Sequence, residues 1–257
     1  MKNRTTLISF ANKEYKTSQA TLSMSAKKYQ VFDSIIEYGE DDVQSLFTEY
    51  ETIMREPRGY GLWLWKPYLV CQSLKDLNYG DILFYCDSGV EFVRNPSALL
   101  ELVKQSDVVT FELDFVEKFW SHQALVNNFP CDKVTETYMR AASYFIIQKS
   151  ENSEKFIHDW FKLCTNSVFL KDDFISPQIH GFNFHRHDQS IFSCLSKSQG
   201  YEFLAYRDPS QFGLKYTNDY PNSPYPQIIN HHRKNSKRLK SAYYKKILPY
   251  LRKALKY

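Results

Sequence analysis

The chain has 257 residues, enough for one substantial core with a short appendage. Its five cysteines (Cys71, Cys86, Cys131, Cys164, Cys194) are odd in number, widely spaced and form no C-x-x-C pair, which argues against a disulfide framework or a structural zinc site and for a reducing compartment. The net charge of +4 conceals an asymmetry: ten Lys or Arg and no acid lie between Arg233 and Tyr257, while the remaining 232 residues hold 23 basic and 29 acidic side chains, so by charge the body is not a nucleic-acid surface. No apolar run approaches the roughly 20 residues of a membrane span. Met1-Lys2-Asn3-Arg4 lacks a signal-peptide core, so the expectation is a soluble or peripheral cytoplasmic protein.

In chain order, Thr5 to Ala11 reads as a first strand, Ser18 to Tyr29 as a helix and Val31 to Tyr38 as a second strand. Asp41 to Arg55 reads as a second helix with Asp41 as its N-cap. Arg58-Gly59-Tyr60-Gly61 is a glycine-bearing turn, and Leu62 to Leu77 has apolar residues at helical spacing with Pro67 in its first turn. Asn78-Tyr79-Gly80-Asp81 then turns the chain into Ile82 to Cys86, a continuous apolar run of buried-strand length. That strand ends on Asp87-Ser88-Gly89, and open α/β sheets place their ligands at the carboxyl ends of their strands. Further on come a short helix (Pro96 to Gln105), two strands (Asp107 to Leu113, Ala141 to Gln148), an amphipathic helix (Glu151 to Cys164), a helix with a polar start (His187 to Lys197) and a closing strand (Phe203 to Tyr206). This alternation indicates an α/β domain with a largely parallel sheet over residues 1–232.

Pro221 to Pro226 is proline-rich and separates the body from a basic segment, residues 233–257. Lys237 to Tyr257 mixes Lys and Arg with apolar and aromatic residues, and Pro249 interrupts it. It reads as a helical tail suited to an anionic inner leaflet, with phosphate binding on RNA or DNA and a plain solvated helix as the other readings.

Three clusters carry residue types suited to chemistry. Asp87 can hold a divalent cation or a ribose, or cap the turn that follows it. Arg58 and Lys66 can meet phosphate oxygens, or stand in solvent. In His185-Arg186-His187-Asp188-Gln189-Ser190, Asp188 can act at a reacting centre or satisfy the free N–H groups of a helix start. His185 and His187 have no carboxylate or Cys at a recognisable zinc spacing and read as loop histidines. A late pair, His231-His232, precedes Arg233-Lys234 and fits either a metal ligand or the basic surface run.

Gly61-Leu62-Trp63-Leu64-Trp65-Lys66-Pro67 followed by Tyr85-Cys86-Asp87-Ser88-Gly89 resembles the nucleotide-sugar-binding half of bacterial and viral GT-A-type glycosyltransferases that assemble capsule, lipopolysaccharide or other surface glycans. Asp188-Gln189 resembles the Asp-Gln motif under the donor sugar in retaining family 8 galactosyltransferases. The match has gaps. Gly89 stands where the Asp-x-Asp motif has its second acid, or else Tyr85 replaces the first, and Glu91 is the nearest substitute. Glu117-Lys118-Phe119-Trp120-Ser121-His122 matches a further family segment only in part.

The resemblance implies a GT-A-like, Rossmann-type α/β fold: a mixed, mainly parallel sheet flanked by helices. It implies transfer of a hexose-type sugar from a nucleoside diphosphate sugar, UDP-linked, to a glycan or lipid-linked acceptor, with a lean toward retention from Asp188-Gln189. Asp188 and Gln189 would act at the anomeric centre. Ser9, Phe10, Ala11, Arg58, Lys66, Asp87, Ser88, Gly89 and His122 would contact the donor, with Glu117 beside His122 as a further sugar contact. Mn²⁺ or Mg²⁺ would sit on Asp87 and His232. No nucleic-acid partner is expected, and the tail would hold the protein peripherally on the inner membrane face. The alternatives are a non-catalytic sugar-nucleotide- or glycan-binding relative, motivated by Gly89, and a nucleic-acid-associated protein using the tail.

Overall fold

The computed structural model describes residues 3–172, 177–210 and 225–232. Nine strands occur among them: β1 (Thr5–Phe10), β2 (Ser34–Tyr38), β3 (Ile82–Cys86), β4 (Val90–Phe92), β5 (Val108–Val116), β6 (Tyr138–Arg140), β7 (Tyr144–Gln148), β8 (Ala205–Arg207) and β9 (Ile229–His231). Seven form one sheet in the order β2-β1-β3-β7-β5-β6, with β8 also paired to β5, and β4 pairs with β9 in a separate ribbon. β1 is parallel to β2 and β3, and β5 to β8, whereas β7 runs antiparallel to both neighbours and β6 antiparallel to β5. The sheet is therefore mixed, with five of its seven strands in one direction.

The uninterrupted apolar runs make sense because both faces of the sheet are covered. Ile8 and Phe10 of β1, Leu83 and Tyr85 of β3, and Phe145 and Ile147 of β7 point to one face, under the helices Trp65–Lys75, Glu151–Cys164 and Asp188–Lys197. Leu7, Phe84, Cys86, Tyr144 and Ile146 point to the other, against Leu22 and Ala26 of the helix Lys16–Lys27 and against Leu99, Leu102 and Ile229. Each strand alternates between two cores, so neither face can be polar.

Several expectations change. The helix expected over 41–55 is three short pieces: a 3-10 turn Glu40–Val43, then Gln44–Glu49 and Glu51–Met54. Asp41 is not its N-cap. Gly39 is, and the Asp42 carboxylate reaches back to accept the Gly39 N–H at 2.7 Å. The run 141–148 contains β7 only from Tyr144, and β7 keeps the direction of β6 just before it, so that both run antiparallel to β5 and β7 also to β3. β9 was not legible as a strand; it forms by pairing Val90, Glu91 and Phe92 with residues far along the chain. The basic segment 233–257 and most of the proline-rich stretch before Tyr225 lie outside the described residues. All five cysteines are free. Among the described residues, no helix is long and apolar enough to cross a membrane.

Candidate functional site

β3 delivers Asp87 to the carboxyl edge of the sheet, where its N–H donates to the Ser143 carbonyl at 2.7 Å. The Asp87 side chain does not simply cap its own turn. Its Oδ1 accepts the Tyr85 hydroxyl at 2.6 Å and lies 3.3 Å from Lys66 Nζ. Lys66, only 3% exposed, also lies 2.9 Å from Asp188 Oδ2 and donates to the Ala142 carbonyl at 3.1 Å. One ammonium thus joins the end of a central strand to the first residue of the helix Asp188–Lys197. Asp188 is as buried as Lys66, whereas Asp87 keeps 25% of its side-chain surface open to the cleft.

Two carboxylates around one buried cation form a coupled set. Burial pushes the Asp188 carboxyl up to about 6; Lys66 pulls it down and Asp87 adds to the rise. Burial alone would lower the Lys66 ammonium, but Asp188 and Asp87 outweigh it and hold it above its ordinary value. Burial, with the charge of Asp87, keeps the Tyr85 phenol well above its usual range, so it remains a donor.

Lys66 can reach this position because of an unusual backbone. Gly59, Tyr60, Gly61, Leu62 and Trp63 all have positive φ, between 53° and 86°. The Leu62 N–H donates to the Arg58 carbonyl at 2.9 Å and the Trp63 N–H to Gly59 at 3.3 Å, which makes one turn of left-handed helix. Each non-glycine in that region costs about 1–2 kcal/mol. Tertiary packing holds the turn: Trp65 Nε1 donates to the Gly59 carbonyl at 2.9 Å and its ring stacks on Phe10 with centroids 4.1 Å apart. Gly61 presses on Met54, where a Cβ would come within 2.6 Å of the sulfur. The right-handed helix Trp65–Lys75 then starts, and Pro67 in its first turn lacks only an N–H that has no intrahelical partner there. Trp63 and Trp65, two apart, separate as expected: Trp65 is buried, and Trp63 faces His187 at 5.7 Å.

These elements enclose a cleft of about 630 Å³. Of the expected donor and catalytic residues, Phe10, Ala11, Arg58, Lys66, Asp87, Ser88, Gly89, Asp188 and Gln189 line it, together with Tyr60, Trp63, Phe184, Arg186, His187 and His231. Ser9 and His122 are not on its wall. Ser9 is buried against Gln19, whose Nε2 donates to its hydroxyl at 3.2 Å. His122 is the N-cap of the helix Gln123–Asn127, accepting the Leu125 N–H at Nδ1 (3.1 Å) while Nε2 meets the Phe169 carbonyl at 3.2 Å. His185 Nε2 meets the same carbonyl at 2.9 Å, and His187 Nδ1 meets the Leu170 carbonyl at 2.8 Å. His185 and His187 thus fasten residues 169–170 to the start of the Asp188 helix, and His122 fastens Phe169 to the start of the helix Gln123–Asn127. Glu117 likewise serves the interior: it is fully buried, 2.8 Å from Lys197 and 2.5 Å from the Ser121 hydroxyl.

Among the described residues the side chains do not assemble a cation site. No group of three His, Cys, Asp or Glu among the described residues could hold a metal ion. Asp87 Oδ1 is already committed to Tyr85 and Lys66, and the neighbouring carboxylate shares the same ammonium. Glu91 meets Asn230 across the β4–β9 ribbon, the His232 backbone N–H donates to the Gly89 carbonyl at 2.9 Å, and His231, not His232, lines the cleft. The donor set fits a lysine in the place expected for a divalent ion. Tyr60, Arg186 and Phe184 were not expected at the site. Adjacency to Asp188-Gln189 was the available signal for the last two.

A mixed, mainly parallel sheet with its cleft at the carboxyl edge, flanked by helices on both faces, is a GT-A-like fold. Among solved structures, the galactosyltransferase LgtC in complex with donor and acceptor sugar analogues aligns with a TM-score of 0.51 at 12% identity, over 89% of this chain and 87% of that one. A glycosyltransferase involved in glycosylation of the major capsid of PBCV-1 aligns with a TM-score of 0.49 at 11% identity, over 93% and 98% of the two chains. Likeness at this identity speaks to the fold. No protein-family model matches the chain, and no curated protein matches it by sequence.

Proposed function

We propose that the protein is a glycosyltransferase that moves a hexose-type sugar from a nucleoside diphosphate sugar, UDP-linked, to a glycan or glycolipid acceptor of a cell surface. One observation carries the reading: Asp87 at the rim of the central strands is tied through a buried lysine to Asp188, with Gln189 beside it on the same cleft. Phe10 and Tyr60, with centroids 5.9 Å apart and rings tilted by 37°, offer the base an aromatic wall at the carboxyl end of β1. Arg58 brings positive charge to the diphosphate. The open flank of Asp87 accepts from sugar or ribose hydroxyls, while Lys66 and Asp188 fix its orientation. Gln189 faces the anomeric carbon. In transfer, the acceptor oxygen bonds to that carbon, the bond to the diphosphate oxygen breaks, its electron pair leaves with the diphosphate, and the acceptor proton passes to a carboxylate of the cleft. The basic segment 233–257 would keep the enzyme at an anionic membrane surface, peripheral on the cytoplasmic side, close to a lipid-linked acceptor.

The test is nucleoside diphosphate release from a panel of sugar nucleotides, run with Mn²⁺ and with a chelator, followed by anomeric analysis of the product. Asp87→Ala and Gln189→Ala should each lower turnover by about 10²-fold or more. Absence of both turnover and thermal stabilisation across the whole panel would refute the reading.

A further inference from the structure

Three aromatic rings beside the cleft belong to neither core. Phe115, Trp120 and Phe184 surround the Arg186 guanidinium, which lies 4.8, 4.5 and 5.0 Å from their respective centroids. Phe115 and Trp120 are 4.6 Å apart, and Phe184 meets Trp120 edge to face at 4.8 Å. The assembly is built in from below: the Ser190 hydroxyl accepts the Arg186 N–H at 3.1 Å and donates to the Trp120 carbonyl at 2.9 Å. Yet Phe184 is 41% exposed and lines the cleft. A phenyl ring held rigid by a cation and a tryptophan, and left open at the mouth of a cleft, is a prepared stacking surface.

We propose that Phe184 is the platform on which the terminal pyranose of the acceptor lies. This rests on the glycosyltransferase reading and names a subsite within it. A pyranose presents an apolar C–H face to an aromatic ring and a rim of hydroxyls to polar neighbours. Arg58, 5.9 Å from the same ring's centroid, serves the diphosphate, while its partner Asp172, 3.5 Å from it and 44% exposed, offers a carboxylate to that rim. Position separates this surface from the donor. β1 and β3, the parallel strands whose carboxyl ends suit a nucleotide, end on Phe10 and on Cys86, which Asp87 follows. Phe184 stands on the loop that leads into Asp188, beyond the Lys66 bridge, so a sugar on it approaches the reacting carbon from the Gln189 side.

The test uses the full chain saturated with UDP and a panel of simple methyl glycosides (glucoside, galactoside, mannoside, xyloside), read by saturation-transfer NMR, with UDP affinity measured separately. A glycoside should bind the wild type through the protons of one ring face. Phe184→Ala should weaken it by about tenfold, Phe184→Tyr should hold it within about threefold, and neither should change UDP affinity. The platform is overturned if no glycoside binds the wild type, if Phe184→Ala binds it equally well, or if UDP weakens in step with the glycoside. Failure of UDP and every sugar nucleotide to bind the wild type is a different result: it refutes the donor site itself and removes the acceptor role with it.

Discussion

Replacing Lys66 with methionine keeps most of the apolar stem and deletes the one cation between Asp87 and Asp188. In the native chain that ammonium lies 2.9 Å from Asp188, 3.3 Å from Asp87 and 3.1 Å from the Ala142 carbonyl, at 3% exposure. Its removal leaves a buried carboxylate with no counter-charge, and breaking a buried pair from one side costs about 3–5 kcal/mol. For a chain of this size that lowers the melting temperature by roughly 6–20 °C, at about 2–4 °C per kcal/mol. The assay is urea unfolding of wild type, Lys66→Met, Asp188→Asn and the double variant near neutral pH. The double variant removes both buried charges and should recover more than half of the loss, giving a coupling energy of about 2 kcal/mol or more. A single-variant loss under about 1 kcal/mol, or a double variant no better than Lys66→Met, would refute the claim that this lysine neutralises the site.

The remaining predictions concern protons and backbone. Because burial raises Asp188 from 3.8 to about 6, the folded state binds its proton over that interval while the unfolded state does not. Its contribution to stability is full below the unfolded value and is lost as pH rises through about 6, by roughly 3 kcal/mol; urea unfolding of Asp188→Asn against wild type should lack that part of the slope. His185 is held well below its ordinary value by burial and by His122 and His187, so its contribution is present above its usual titration range and is lost as pH falls below that range through the depressed folded value. Imidazole ¹⁵N spectra should find it neutral and protonated on Nε2 at pH values where a free histidine is half charged. A cationic His185 under those conditions would contradict the geometry. Gly61→Ala places a Cβ 2.6 Å from Met54 Sδ at φ +86°, whereas Gly200→Ala at φ +92° meets nothing within 4 Å. Gly200→Ala should lower stability by about 1–2 kcal/mol and Gly61→Ala by clearly more, as read from unfolding midpoints. Equal losses would show that the close approach to Met54 does not matter.

The strand Ile82–Cys86 and the helix Glu151–Cys164 could be read directly, because an apolar run of strand length and a capped amphipathic period are local signals. The Trp-Leu-Trp-Lys-Pro segment lines the cleft through Trp63, Trp65 and Lys66, and Asp87 reaches the same cleft from the end of the next strand. Other features were not local. The left-handed turn at 59–63 follows from the packing of Trp65 on Phe10 and Gly61 on Met54, which no propensity anticipates. The reversal of β7 depends on which strand it meets, and β9 exists only through its pairing with β4. His122 looked like a sugar contact because Glu117 to His122 partly matches a glycosyltransferase segment, but its Nδ1 caps a helix start.

What the sequence determined by itself was the alternation of buried strands and helices, the charge asymmetry of the last 25 residues, and the types of group available for chemistry. What only the tertiary structure decided was which of those groups meet. Lys66 and Asp188 are 122 positions apart, and their pairing at 2.9 Å is set by three helices packed over one face of the sheet. Burial strengthens that attraction and raises the carboxyl at the same time, because the low polarity that binds the pair also penalises each charge alone.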